Sequence, residues 1–253
     1  PEAAPAPPPE AAPAPAPAER GGAKGEVTTE EPSRVQQLIA RRMAESKATV
    51  PHFWEETEVD MEAAAALRAQ LEAAAGEGDV VPSFNDFVVK ACALALRESP
   101  RMNGSYRDGR FELHSRINVG VAVAAEDSLL VPTIFDADQK SLGEIARATR
   151  ELAGRARKAA LTPPELGGAT FSISNLGMFG VTRFQAVINP PQAAILAVAA
   201  VRPLPVAVDG RVVVRRRMAV TVSCDHRILY GADAAQFLAR LRALLEQPLR
   251  LAL

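Results

Sequence analysis

The chain has 253 residues, 48% of them hydrophobic, which is enough for one substantial core. Its 29 Lys and Arg nearly balance 30 Asp and Glu, so a net charge of -1 gives no global reason to expect nucleic-acid binding. Two cysteines, Cys92 and Cys224, make no disulfide framework and suit a reduced, cytoplasmic protein.

The chain opens, without a methionine, on PEAAPAPPPEAAPAPAPA. Such a stretch cannot build a core, and its prolines favour extended polyproline-like conformations. Residues 1–30 therefore read as a Pro/Ala-rich disordered linker that joined another module upstream, and the missing methionine fits a piece of a longer protein. There is no charged-then-apolar leader and no apolar run of roughly eighteen residues, so neither a signal peptide nor a membrane span is expected.

Residues 31–253 read as one folded domain. Val35, Leu38, Ile39 and Met43 fall at helical spacing between Ser33 and Lys47. Pro51 enforces extended geometry at Val50, and a strand follows from Phe53 to Val59. Asp60 is placed to cap a helix over 61–75, which Gly76 and Gly78 stop. Pro82 and Ser83 introduce a helix over 85–97 that is apolar on most faces, hence central. Strand signals then dominate: 110–113, 117–125, a turn at Glu126-Asp127-Ser128, and 129–134. A helix is expected over 141–160, a strand over 169–174, and a nearly continuous apolar, interior strand over 193–200. Residues 206–208 and 211–214 flank Asp209-Gly210 as a hairpin. A strand over 218–224 and a helix over 232–245 close the domain. The set is mixed α/β. Strands and helices are not regularly interleaved, so it is not a doubly wound sheet, and no glycine fingerprint for a dinucleotide or nucleoside triphosphate is present.

Three histidines are candidates for chemistry: His52 near a strand start, His114 in a strand-rich stretch, and His226 in Asp225-His226-Arg227 at the end of an apolar strand. A reactive group at the end of a rigid strand is well placed. Dispersed histidines and cysteines offer no short metal-ligand spacing, so no metal is expected. A cysteine protease is the competing nucleophilic reading, but Cys224 follows an alternating strand and reads as core. In Phe171-Ser-Ile-Ser-Asn-Leu-Gly-Met-Phe-Gly180, Ser172 and Ser174 share one side of an extended chain. Gly177 and Gly180 permit a tight turn there. A serine hydroxyl at that point can donate to a developing oxyanion, or can simply end a polar strand.

The runs Ser172 to Gly180, Ile188-Asn-Pro-Pro-Gln-Ala-Ala-Ile-Leu196 and Ser223-Cys-Asp-His-Arg-Ile-Leu-Tyr-Gly-Ala-Asp-Ala-Ala235 resemble the dihydrolipoamide acyltransferase (E2) catalytic domain of 2-oxo acid dehydrogenase complexes. Ile39 to Lys47 and Val50-Pro-His-Phe53 resemble the start of the same domain, and the resemblance runs in order over about residues 33–250. It implies a fold like that of chloramphenicol acetyltransferase and trimers with interfacial active sites. It implies assembly into a 24-mer or 60-mer, the 24-mer being preferred. Coenzyme A and a lipoyl-lysine arm are the implied substrates. The lipoyl and subunit-binding modules would have lain upstream, absent from this chain, and would connect it to the decarboxylase (E1) and dihydrolipoamide dehydrogenase (E3) components. The family's general base maps to His226 and its oxyanion donor to Ser174, with Asn175 beside it at the substrate site. Acetyl is the preferred acyl group, then branched-chain acyl, then succinyl.

One position departs. The family pattern is His-Arg, two variable residues, then Asp-Gly; here Tyr230 stands in place of the aspartate. In relatives that aspartate orders the site through an arginine. Its replacement would leave an arginine of the 34–42 region unpaired, and a buried orphan charge is costly. The competing reading is therefore a catalytically weakened or inactive structural core. A stand-alone acetyltransferase for a small molecule is a third reading, disfavoured by the spacer.

Overall fold

The computed structural model describes residues 25, 27–124 and 129–252. Two units emerge. The first is Pro1–Ser33, whose described residues 25 and 27–33 carry no helix or strand; the rest of the expected linker lies outside the described residues. The second, Arg34–Leu253, holds all regular structure among the described residues.

In chain order the second unit contains α1 (Arg34–Thr49), β1 (His52–Asp60), α2 (Glu62–Ala74), α3 (Phe84–Glu98), β2 (Gly104–Arg107), β3 (Arg110–Leu113), β4 (Val119–Val121), β5 (Val123–Ala124), β6 (Leu129–Leu130), β7 (Thr133–Ile134), α4 (Leu142–Arg157), α5 (Pro163–Gly167), β8 (Phe171–Asn175), β9 (Ala194–Val198), β10 (Arg202–Val208), β11 (Arg211–Asp225) and α6 (Gly231–Glu246). The mixed α/β class expected from the sequence holds.

Local chemistry explains the boundaries. α2 starts at Glu62 with Met61, not the expected Asp60, in the capping position; Asp60 ends β1, and its Oδ1 still accepts from Glu62 N–H at 3.0 Å. Ser83 and Asp86 exchange side-chain-to-backbone hydrogen bonds and start α3. Ser141 and Glu144 do the same for α4. Every α3 residue from Asp86 to Leu96 is buried, as an all-round apolar helix requires. In α6 only Ala234, Phe237, Leu238, Leu241, Leu244 and Leu245 are buried, a single stripe that packs toward β1 and α3.

The main sheet has seven strands in the order β1-β11-β9-β8-β4-β7, with β10 paired to the first half of β11. β4, β8 and β9 run parallel to one another; β1, β7, β10 and β11 join antiparallel. All five residues of β9 are buried, which matches its continuous apolar run and its interior place.

Four readings change. The hairpin arm and the strand expected over 218–224 are one continuous strand, β11. The Arg215-Arg216-Arg217 run between them does not interrupt pairing, because Glu62 accepts from Arg216 N–H at 2.6 Å and from its Nη1 at 2.8 Å. The strand expected over 117–125 breaks at Ala122: β4 stays in the main sheet while β5 leaves to pair with β6. The strand expected over 129–134 breaks before Pro132, which has no N–H to give a ladder. Its turn at 126–128 lies outside the described residues. β2, which no sequence run announced, pairs with β3 around Asp108-Gly109, both at positive φ (50° and 76°).

α5 is tied to α4 by one carboxylate. Glu165 accepts from Thr162 N–H and hydroxyl, each at 2.7 Å, and from Arg155 at 2.6 and 2.8 Å. These donors, the Thr162 backbone first, bring its pKa from the usual 4.5 to about 2. A depressed carboxylate stabilises the fold above its unfolded pKa, and that contribution is lost as pH falls from 4.5 to about 2. Glu165→Gln is expected to remove this part of the acid dependence. Unfolding temperatures measured across that pH range, with slopes equal in wild type and variant, would refute it.

Several apolar side chains stay uncovered: Val35 and Leu38 on α1, Trp54 on β1, Met178 and Phe179 after β8, and Val212 and Val214 on β11. Both cysteines are buried and free, and burial pushes both thiols up.

Candidate active site

His226 follows the last residue of β11. The backbone there is held on both sides: Asp225 N–H donates to Ala193 O at 2.8 Å and His226 N–H to Pro51 O at 2.9 Å. Asp225, 2% exposed, accepts from Arg227 N–H, Nε and Nη2 at 3.0, 2.9 and 2.8 Å. The Arg227 guanidinium stacks 4.6 Å from the Tyr106 ring centre. Ile228 and Leu229 are fully buried. The imidazole, by contrast, is exposed, with its ring 4.6 Å from Phe53 and 5.9 Å, edge-on, from Tyr230. A tightly held turn thus presents an exposed imidazole to solvent.

The charged flanks of His226 signalled part of this turn in the sequence. The Phe53 and Tyr106 contacts carried no signal, since they come from distant strands.

Tyr230 is 49% exposed and opens α6. Its N–H donates to Asp233 Oδ2 at 3.0 Å, so Asp233 caps the helix rather than replacing a family aspartate. Arg34, Arg41 and Arg42 are exposed. The buried orphan charge expected from Tyr230 does not arise within this chain.

β8 carries the second half. Ser172 is 1% exposed and donates to Gln192 Oε1 at 2.7 Å; Gln192 Nε2 donates on to Ala169 O at 3.1 Å. Ser174, two residues on, borders a cavity of about 490 Å³. Ile39, Arg42 and Met43 of α1 form one wall, and residues 184–187 with Asn189 another. Asn175, expected at the substrate site, has both polar ends engaged within the chain. Its Nδ2 donates to Asn85 Oδ1 at 2.9 Å and its Oδ1 accepts from Gly177 N–H at 2.8 Å. A Cβ at Gly177 would stand 2.8 Å from the Ala199 carbonyl, and Gly180 has φ 74°, so both turn glycines are required. Among the described residues a larger cavity of about 740 Å³ lies between α2, the start of α4 and the C-terminal turn, and none of the expected site residues borders it.

The two serines therefore differ in kind. Ser172→Ala leaves the buried Gln192 oxygen without its donor and is expected to cost about 1–3 kcal/mol of stability. Denaturant unfolding that shows no loss would contradict that role.

His226 and Ser174 do not meet within the chain. Ser174 pairs with Ala197, and Ala197 with Thr221, so Ser174 is level with Thr221 two strands away. His226 lies five residues further along, which places the pair roughly 15–20 Å apart, far outside hydrogen-bond reach. Among the described residues no cluster of His, Cys, Asp or Glu could hold a metal, and no helix is long and apolar enough to cross a membrane.

The family described as 2-oxoacid dehydrogenases acyltransferase (catalytic domain) matches residues 24–253. The chain is 39% identical over 233 residues to the dihydrolipoyllysine-residue acetyltransferase component of the pyruvate dehydrogenase complex of Zymomonas mobilis, covering 90% of this chain and 53% of that protein. The chain thus spans about half the length of the curated relatives it matches. A structure of Azotobacter vinelandii dihydrolipoamide acetyltransferase, studied for the role of a serine, a histidine and an asparagine in its catalytic mechanism, superposes with TM-score 0.87 at 34% identity, covering 92% of this chain and 96% of that one. The cubic core of a pyruvate dehydrogenase multienzyme complex superposes with TM-score 0.87 at 35% identity, over 91% and 96%. Chloramphenicol acetyltransferase, at 14% identity and TM-score 0.53 over 81% and 94%, shares the fold, as the sequence led us to expect.

Proposed function

Because the chain belongs to the family of 2-oxoacid dehydrogenase acyltransferase catalytic domains, we propose that it moves an acyl group, acetyl by preference, between dihydrolipoamide and coenzyme A within a 2-oxo acid dehydrogenase complex. His226 is the general base and Ser174 the oxyanion donor. The observation that carries this assignment is a spacing. In the Azotobacter enzyme the serine precedes the histidine by 52 residues and the asparagine follows it by four. Ser174, His226 and Tyr230 keep both intervals.

The chemistry needs little from the protein. A substrate thiol gives its proton to the His226 imidazole as its sulfur forms the new C–S bond to the thioester carbonyl. The carbonyl oxygen becomes an oxyanion that accepts from the Ser174 hydroxyl. Collapse breaks the old C–S bond, and the imidazolium returns the proton to the departing sulfur. No acyl-enzyme forms.

Since one chain holds base and donor roughly 15–20 Å apart, each site is completed by two copies. The uncovered apolar side chains on α1, β1 and β11 favour such association. The assembly proposed is a trimer, with trimers forming a 24-mer. The lipoyl arm comes from an upstream module, which also reaches the E1 and E3 components. Two buried free thiols suit the cytoplasm.

The weakened-core reading rests on Tyr230. An asparagine at the same offset in the Azotobacter protein favours activity, since that site too has a neutral side chain there. The test is complementation. His226→Ala and Ser174→Ala proteins are each assayed for acetyl transfer from acetyl-coenzyme A to dihydrolipoamide, then unfolded, mixed equally and reassembled. Random trimers restore one intact His–Ser pair at about a quarter of the sites, so about a quarter of wild-type activity is expected. A mixture as inactive as its components would refute the shared site.

A further inference from the structure

His52 is the histidine that the proposed reaction leaves unused, yet both its nitrogens are committed. The ring stands at the first residue of β1, partly buried. Nδ1 lies 2.8 Å from the Val50 carbonyl, which can only accept. Nε2 lies 3.1 Å from the Ile188 backbone nitrogen, which can only donate. These partners fix the neutral tautomer with its proton on Nδ1.

Ile188 is fully buried and is held at its other end too: its carbonyl accepts from Ser46 Oγ of α1 at 2.7 Å. The Ala186 carbonyl accepts from Ser223 Oγ of β11 at 2.7 Å. Ala186, Val187 and Asn189, the neighbours of Ile188, form one wall of the Ser174 cavity, and α1 forms the facing wall. On the other side, the Pro51 carbonyl accepts from His226 N–H, and His52 itself is in register with Asp225. Residues 51 and 52 thus join the turn that presents the base to the wall that faces the oxyanion donor.

We propose that His52 is a positioning residue whose neutral imidazole clamps residues 186–189 onto β1 and α1 and so sets the wall of the Ser174 cavity. Protonation would place a hydrogen on Nε2, donor against donor, and leave the buried Ile188 N–H without a partner. The clamp is therefore closed while the ring is neutral and opens when it is protonated. Charged groups on the surrounding elements are engaged elsewhere. Asp225 pairs with Arg227. Glu56, on the same face of β1, pairs with Arg183 at 2.9 Å. Lys47 of α1 lies over the Trp54 ring.

Only the kinetic consequence of the clamp rests on the acyl-transfer reading. The test is hydrogen–deuterium exchange of the segment containing Ile188 in the assembled protein, corrected for intrinsic rates, together with acetyl-transfer kinetics. In wild type, protection is expected to be lower at roughly pH 5.5 than at pH 7.5, by up to about tenfold. His52→Gln offers a carbonyl to Ile188 N–H without titrating, so it is expected to keep its protection at both pH values and a kcat/KM within about threefold of wild type at the higher one. His52→Ala is expected to lose protection throughout and about tenfold or more in kcat/KM. Wild-type protection that does not change with pH, or an equal pH dependence in His52→Gln, overturns the proposal. The wild-type and glutamine proteins decide the matter alone if the alanine protein fails to assemble. A protein with the expected exchange pattern but no transferase activity would overturn the proposed function and leave the clamp standing.

Discussion

His226→Ala is expected to lower kcat for acetyl transfer by about 10²–10⁴-fold while leaving the fold intact. The reason lies in how the turn is built. The contacts that fix it leave the imidazole out: the Ala193 and Pro51 carbonyls, the buried Asp225 carboxylate, the Arg227 stack on Tyr106, and the buried Ile228 and Leu229. The imidazole contributes only its exposed ring contacts with Phe53 and Tyr230. Its removal should change unfolding free energy by no more than about 0.5 kcal/mol, the range of an ordinary surface substitution. Turnover and denaturant unfolding of the same preparation separate the two effects. Wild-type turnover in the variant would end the assignment of the base.

Ser174→Ala is expected to cost about 10²–10³-fold in kcat with KM little changed. An oxyanion exists only at and near the transition state, so a donor aimed at it contributes nothing to ground-state binding. The neighbouring serine supplies the control. Both serines border the cavity, but Ser172 gives its hydroxyl to the buried Gln192 oxygen and so bears on stability. A loss in Ser174→Ala carried wholly by KM would make that serine a binding group and refute the oxyanion role.

Much of the fold was legible because its signals are local. The helix start after Pro82 and Ser83, the central helix α3, the interior strand β9 and the closing helix α6 follow from residue order alone. What was missed depends on partners far away in sequence. β2 is a strand because β3 folds back on it around Asp108-Gly109. The arginine run of β11 stays in a strand with acidic partners from distant segments, Glu62 for Arg216 and Glu58 and Asp60 for Arg217. At the site, motif resemblance picked out His226 and Ser174, but no pattern in the sequence could show that β9 and five further residues of β11 separate them. Asn175 looked like a substrate contact because it sits next to Ser174. Its bonds to Asn85 and Gly177, which tie it to α3 and to the turn, carried no sequence signal.

Cys224 lies two residues before the proposed base, in a protein whose reaction would run entirely through sulfur. A reactive thiol there would compete with the substrates: it could capture the acyl group as a thioester or open an oxidised lipoyl ring as a mixed disulfide. Burial, reinforced by the nearby carboxylates of Glu55, Asp233 and Asp225, keeps that thiol protonated. Because only the thiolate attacks, the residue is chemically silent. The same strand that carries His226 to the surface withdraws a nucleophile from it, so a transferred acyl group would meet a cysteine unable to intercept it.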